Sequence, residues 1–162
     1  MTPSSSVHFS HKSDEWQTPQ DLFSSLNDEF GNFLMDVAAN ANNSKCKKFR
    51  SADDGNSGLT TPWSKRNWCN PPYSRVLEFV MKAVDEQRNG NMTVMLIPAR
   101  TDTRFFHNYI YNKPGIEIRF LKGRVKFINP VSPLLRGTKM NGSNNAAPFP
   151  SMVIIFRALA PN

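Results

Sequence analysis

At 162 residues, with 39% hydrophobic and 11% aromatic side chains, the chain can bury one core; this excludes an intrinsically disordered composition, and one domain without a second full recognition domain is expected. No apolar run approaches the ~20 residues of a membrane span, and residues 1–6 lack a signal core. Two cysteines and three scattered histidines give neither a disulfide framework nor a zinc spacing, so a soluble cytoplasmic protein without a metal is expected.

The net charge of +7 is unevenly placed. Residues 1–60 carry five Lys/Arg against eight Asp/Glu, whereas residues 61–162 carry fifteen against five. After Glu117 no acidic side chain follows, but Arg119, Lys122, Arg124, Lys126, Arg136, Lys139 and Arg157 do. Cations grouped in this way attract a phosphate backbone, although a solvated basic face has the same composition.

In chain order, residues 1–13 are Ser-rich and aperiodic and read as an arm ahead of a single domain over 14–162. A helix is expected from Thr18, a capping type, with Pro19 at its first position and Asp21 in its first turn. Leu22, Phe23, Leu26 and Phe30 share one face, and Gly31 stops the run. Residues 33–39 read as a buried strand ending in Asp36 and small residues, and residues 46–52 as a second, short strand followed by Asp53 and Asp54. Residues 56–65 are a loop in which Trp63 is anchored either in the core or over a bound ring.

An apolar run then leads into Asn70-Pro71-Pro72-Tyr73. The residue types suit methyl transfer to an exocyclic amino nitrogen, whose lone pair is delocalised and weakly nucleophilic. Asn70 Oδ1 and the Pro71 carbonyl can hold the two N–H groups, and Pro71 and Pro72 each fix φ near −65° and so aim that carbonyl. Tyr73 offers a flat face to a base flipped from a duplex. Taken as four letters, the same stretch is a turn ending a strand.

Val76, Phe79, Val80, Ala83 and Val84 form a helical stripe ending near Asn89-Gly90, and residues 92–97 are a continuous apolar run bounded by Gly90 and Pro98, as in a central parallel strand. Thr101 to Thr103 can cap a helix carrying Phe105, Phe106, Tyr109 and Ile110. Residues 116–120 alternate as a half-exposed strand that residues 123–127 continue or pair with. Residues 128–148 lack periodicity and form a loop long enough to be functional, and residues 151–156 give a closing strand beside the central ones.

Several of these pieces together resemble the small phage and prophage DNA adenine-N6 methyltransferases, the Dam-like enzymes that use S-adenosylmethionine. They are Glu15-Trp16-Gln17-Thr18-Pro19, Asp36-Val37-Ala38-Ala39, Gly58-Leu59, Trp68-Cys69-Asn70-Pro71-Pro72-Tyr73, Pro98-Ala99-Arg100-Thr101-Asp102-Thr103, Gly123-Arg124 and Pro148-Phe149-Pro150-Ser151, spread over residues 14–157. Asn43 and Cys46 match the same pattern.

The resemblance implies an α/β, Rossmann-like S-adenosylmethionine-dependent methyltransferase fold, a mostly parallel central sheet with helices on both faces. It implies methyl transfer to adenine N6 in double-stranded DNA, with Asn70, Pro71, Pro72 and Tyr73 catalytic. The cofactor would be held by Trp16, Gln17, Thr18, Pro19, Asp36, Ala38, Ala39, Asn70 and one of Asp53 and Asp54, and DNA by Arg100, Asp102, Arg124, Lys126, Arg136 and Lys139. The usual glycine-rich turn is replaced by Ala39-Asn40-Ala41-Asn42-Asn43, where Asn tolerance of left-handed backbone would serve. Three alternatives stay open: an RNA base, a protein glutamine, or a DNA-binding module without catalysis. A phage setting would make protection against host restriction the purpose. Nothing sets the oligomeric state, so a monomer is the default.

Overall fold

The computed structural model describes residues 17–53, 55–127 and 146–161. The expectations for the arm 1–13, for Trp16, Asp54, Arg136 and Lys139, and for all but the end of loop 128–148 lie outside them. In chain order the elements are α1 (Gln20–Glu29), β1 (Met35–Asp36), β2 (Lys48–Phe49), β3 (Arg66–Cys69), α2 (Val76–Arg88), β4 (Met92–Pro98), a π-helical turn (Phe106–Ile110), β5 (Ile116–Phe120) and β6 (Ser151–Phe156).

The strands form one mixed sheet of order β2-β1-β3-β4-β6-β5. The β1–β2, β1–β3 and β3–β4 pairs are parallel, and β6 runs antiparallel to both β4 and β5. β6 is therefore the one reversed strand among these six. The apolar runs of β4 and β6 pair over their length, from Thr93 with Phe156 to Pro98 with Ser151.

Side-chain alternation splits the core into two layers. On one face Phe23 and Leu26 of α1 pack with Trp68, Val94, Leu96, Val153 and Ile155. On the other, Phe79, Val80 and Ala83 of α2 pack with Cys69, Met95, Ile97, Met152, Ile154 and Phe156. The helices thus cover opposite faces. Buried polar groups tie the crossover together: Asn67 Nδ2 donates to the carbonyls of Ser64 and Met92 at 2.7 and 2.9 Å. Glu86 accepts from Lys82 and from Asn91 Nδ2. Among the described residues, no helix is long and apolar enough to cross a membrane.

Several local expectations change. α1 begins at Gln20 with Pro19 in the N-cap position, and Thr18 makes no capping bond. The run over 33–39 contributes only Met35–Asp36 to the ladder, although Phe33 and Val37 are buried beside it. Residues 123–127 do not extend β5; Lys126 instead bridges Ala146. The helix expected after Thr103 is a π-helical turn, and the Thr103 hydroxyl donates back to the Arg100 carbonyl at 2.8 Å. Trp63 is in the core, with its indole N–H on the Gly58 carbonyl at 2.7 Å.

Gly58 is fixed by close approach: a Cβ there would lie 2.0 Å from the Val37 carbonyl oxygen, backbone that cannot swing away. Gly58→Ala is expected to lower the unfolding free energy by about 1–3 kcal/mol, read from the urea midpoint at constant slope; an unchanged midpoint would show that the loop relaxes freely.

Candidate active site

The chain leaves β1 for β2 on one side and returns to β3 on the other, so the order reverses between β1 and β3. Ligands of open α/β sheets occupy the crevice beyond the strand carboxyl ends at such a point. A pocket opens there. Among the residues predicted to bind a cofactor, Gln17, Thr18, Asp36, Ala38, Ala39, Asp53 and Asn70 line it, together with Pro72. Pro19, Pro71 and Tyr73 are not among its lining residues.

Asp36 is the chemical centre of the pocket wall. Only 3% of it is exposed, and its two oxygens take the backbone N–H groups of Lys45 at 3.0 Å and Ala38 at 3.4 Å. Burial outweighs these donors and the nearby Lys45 charge, and pushes the carboxyl up to about 6. Its main-chain carbonyl accepts the Arg50 N–H at 2.9 Å, so one residue joins β1 to both ends of the following loop.

That loop does without the left-handed backbone expected of its asparagines. Among the described residues only Asn32 and Asn112 have positive φ outside glycine. Instead Asn43 Oδ1 accepts the Asn40 N–H at 2.7 Å, and Asn40 Oδ1 accepts from Asn42 and Asn43 at 2.9 and 3.1 Å. Side-chain turns of this kind replace the glycines.

The remaining wall carries two unusual buried groups. Thr18 is 2% exposed, and its Oγ1 has no hydrogen-bond partner. Arg50, which sequence reasoning did not single out, holds the loop after β2 through Asn56 Oδ1 at 3.0 Å and the Pro62 carbonyl at 2.9 Å, while its Nε stays buried and unpartnered. Asn40, Asn43 and Lys45 also line the pocket. Asn43 was also marked by its match to the family pattern; for Asn40 and Lys45 the hint was the asparagine-rich turn at a strand end. Burial, with the Asp36 charge adding to it, pushes the Cys46 thiol up to about 12 and the Cys69 thiol well up.

Asn70 follows β3 directly. Pro72 adopts φ −57°, ψ 140°, and its carbonyl takes the Arg75 N–H at 2.9 Å, which starts the turn into α2. Among the described residues the Pro71 carbonyl accepts no hydrogen bond. The Tyr73 ring meets Phe149 edge-on, centroids 4.9 Å apart. Phe149 was legible only as part of Pro148-Phe149-Pro150.

Arg100, Asp102, Arg124 and Lys126 are all exposed and lie past the carboxyl ends of β4 and β5, outside the pocket on the same edge of the sheet. With Lys122, the three cations form no ion pair among the described residues. Arg119 and Arg157 must be removed from the basic footprint. Arg119 pairs with Glu29 and Glu117, Arg157 pairs with Glu117, and both guanidinium groups sit over the Phe30 ring. Among the described residues no cluster of His, Cys, Asp and Glu could hold a metal.

A family model described as DNA N-6-adenine-methyltransferase (Dam) matches residues 5–162. The chain is similar to the DNA N-6-adenine-methyltransferase of Haemophilus phage HP1 (strain HP1c1), 32% identical over 151 residues that span 91% of this chain and 81% of that protein. It is 37% identical over 95 residues to the DNA N-6-adenine-methyltransferase of Escherichia phage T1, a match spanning 57% of this chain but only 39% of that longer protein. A third relative, the putative methyltransferase YfdM of Escherichia coli (strain K12), is 34% identical over 67 residues, 37% of this chain and 71% of its own length.

Asp36 gives the pocket a pH signature. Its carboxyl ionises at about 6 in the folded chain against 3.8 as the ordinary value, so between these limits the folded state binds more protons than the unfolded. Its contribution therefore falls as pH rises, by about 3 kcal/mol between pH 4 and 6 and not beyond. Asp36→Asn should flatten urea-derived stability over that window relative to wild type; identical pH profiles would contradict the assignment.

Proposed function

The chain belongs to the DNA N-6-adenine-methyltransferase (Dam) family, and from that premise we propose that it transfers the methyl group of S-adenosylmethionine directly to the N6 amino group of an adenine flipped out of double-stranded DNA. The observation that carries this reading is the position of Asn70, on the wall of the pocket at the carboxyl end of β3. An amide that can orient an amino group borders a crevice suited to a nucleoside cofactor. The sheet order and the helices on opposite faces support a Rossmann-like methyltransferase fold, with 14–162 acting as one domain after the arm 1–13.

The pocket residues suit the cofactor. Thr18 Oγ1 is a buried polar atom in need of a partner, Gly58 lets the loop pack against the end of β1, and Asp36 supplies an anion. Trp16, Gln17, Thr18 and Pro19 would cover the methionine end, Asp36 with Ala38 and Ala39 the amino group and backbone approach, and Asp53 or Asp54 the ribose hydroxyls. When bound, S-adenosylmethionine supplies an electrophilic methyl on a sulfonium centre.

The chain's own groups then act on the base. Asn70 Oδ1 accepts one N6 hydrogen and the Pro71 carbonyl the other, which draws the nitrogen out of conjugation and turns its lone pair toward the methyl. Pro71 and Pro72 hold the carbonyl direction. Tyr73 stacks on the flipped base, and Phe149 buttresses the tyrosine ring from its edge. Arg100, Arg124 and Lys126 take phosphates, Asp102 borders the base pocket, and Arg136 and Lys139 contact DNA from loop 128–148.

Asn70→Ala should slow N6-methyladenine formation by at least about 10²-fold, a loss much larger than any weakening of S-adenosylmethionine affinity seen by calorimetry; retention of most activity would remove Asn70 from its role. Arg124→Ala and Lys126→Ala should each reduce the slope of log K against log salt for duplex binding by about 0.9; an unchanged slope would take that cation off the phosphate backbone.

A further inference from the structure

The carboxyl end of β5 holds a group that the methyl-transfer reading leaves unused. Ile116 and Ile118 are partly buried against the α2-side core. Phe120 continues their alternation but is 64% exposed, more than any other exposed large hydrophobic among the described residues. A phenylalanine left in water forgoes the stabilisation that burial would give it. Scattered exposed apolar groups are ordinary, so exposure alone says little. The setting of Phe120 says more.

The residue ends β5, and the chain then turns at Gly123, φ +75°, presenting Lys122 and Arg124 beside it. Both cations are exposed and without an ion pair among the described residues. Register puts Phe120 next to Met152 and Met152 next to Ile97, so Phe120 stands at the same carboxyl edge as Arg100. Along that edge come Asn70 and Tyr73 after β3, Arg100 after β4, Phe149 before β6, and Phe120 at β5. Three strand spacings separate β3 from β5, or roughly 14 Å.

We propose that Phe120 is a wedge for the duplex: with Lys122 and Arg124 on flanking phosphates, its ring enters the base stack from which the target adenine has left. Extruding a base costs pairing and stacking, and apolar side chains inserted between base steps offset such distortion. The occupant is DNA because the aromatic group lies among uncompensated cations. A partner protein of acidic surface is the competing occupant. Phe120 touches neither pocket nor base acceptor and acts as a positioning residue. The inference rests on the base-flipping reading above.

The test uses the full chain and short duplexes carrying the site that sequencing of the wild-type product identifies. Phe120→Ala is expected to slow methylation of a fully paired duplex at least tenfold, and to return to within about threefold of wild type when the target adenine is mismatched, because a mismatched base is cheaper to extrude. Phe120→Trp should restore the paired duplex. Wild-type rates for Phe120→Ala on paired DNA, or an equal loss on both duplexes, overturn the proposal, as does failure of the Trp variant to restore. Absence of methylated base with wild type on any DNA instead overturns the base-methylation reading, and the wedge with it.

Discussion

A buried carboxylate organises this molecule. Asp36 ends the first strand, takes two backbone N–H groups from the loop that follows, and accepts the Arg50 N–H on its own carbonyl as the chain enters the next turn. These bonds hold β1, the asparagine loop and the start of the 51–62 loop at one fixed separation, and that separation is the pocket. An anion so enclosed is costly, which its raised ionisation point reflects. The wall of the crevice therefore carries both the structural tie and the charge that a cationic ligand would answer.

From this tie the rest of the site follows by strand order. β3 lies beside β1 in parallel, so Asn70 emerges at the same edge, and the two prolines give it a stiff exit into α2. β4, β6 and β5 extend that edge away from the pocket and carry the exposed cations to one side of it. The charge is sorted as well. Arg119 and Arg157 are held by Glu29 and Glu117, whereas Arg100, Lys122, Arg124 and Lys126, past the ends of β4 and β5, are exposed and without an ion pair among the described residues.

Long apolar runs and helical stripes were readable from the sequence because their burial pattern is local: β4, β6 and α2 fall where periodicity placed them. Short strands were readable in place but not in extent. β1 and β2 keep only two residues each of the runs 33–39 and 46–52, because their pairing is decided by neighbours far along the chain. The asparagine loop showed its position but not its means, since hydrogen bonds from side chains to backbone leave no periodic trace. Arg50 looked like one cation among several. Its role depends on Asn56 and Pro62 folding back over it, which only the tertiary structure reveals. Thr18 stood at the right place for a cap and proved instead to line the pocket with a buried, unpartnered hydroxyl.

The central claim is that this crevice passes a methyl group to adenine N6 in DNA. Its most direct test is incubation of the chain with unmethylated double-stranded DNA and S-adenosylmethionine carrying a trideuterated methyl group, followed by mass spectrometry of the released nucleosides. The account predicts trideuterated N6-methyladenine and no other labelled base. Label on cytosine, or none on DNA while the cofactor still binds, would contradict it.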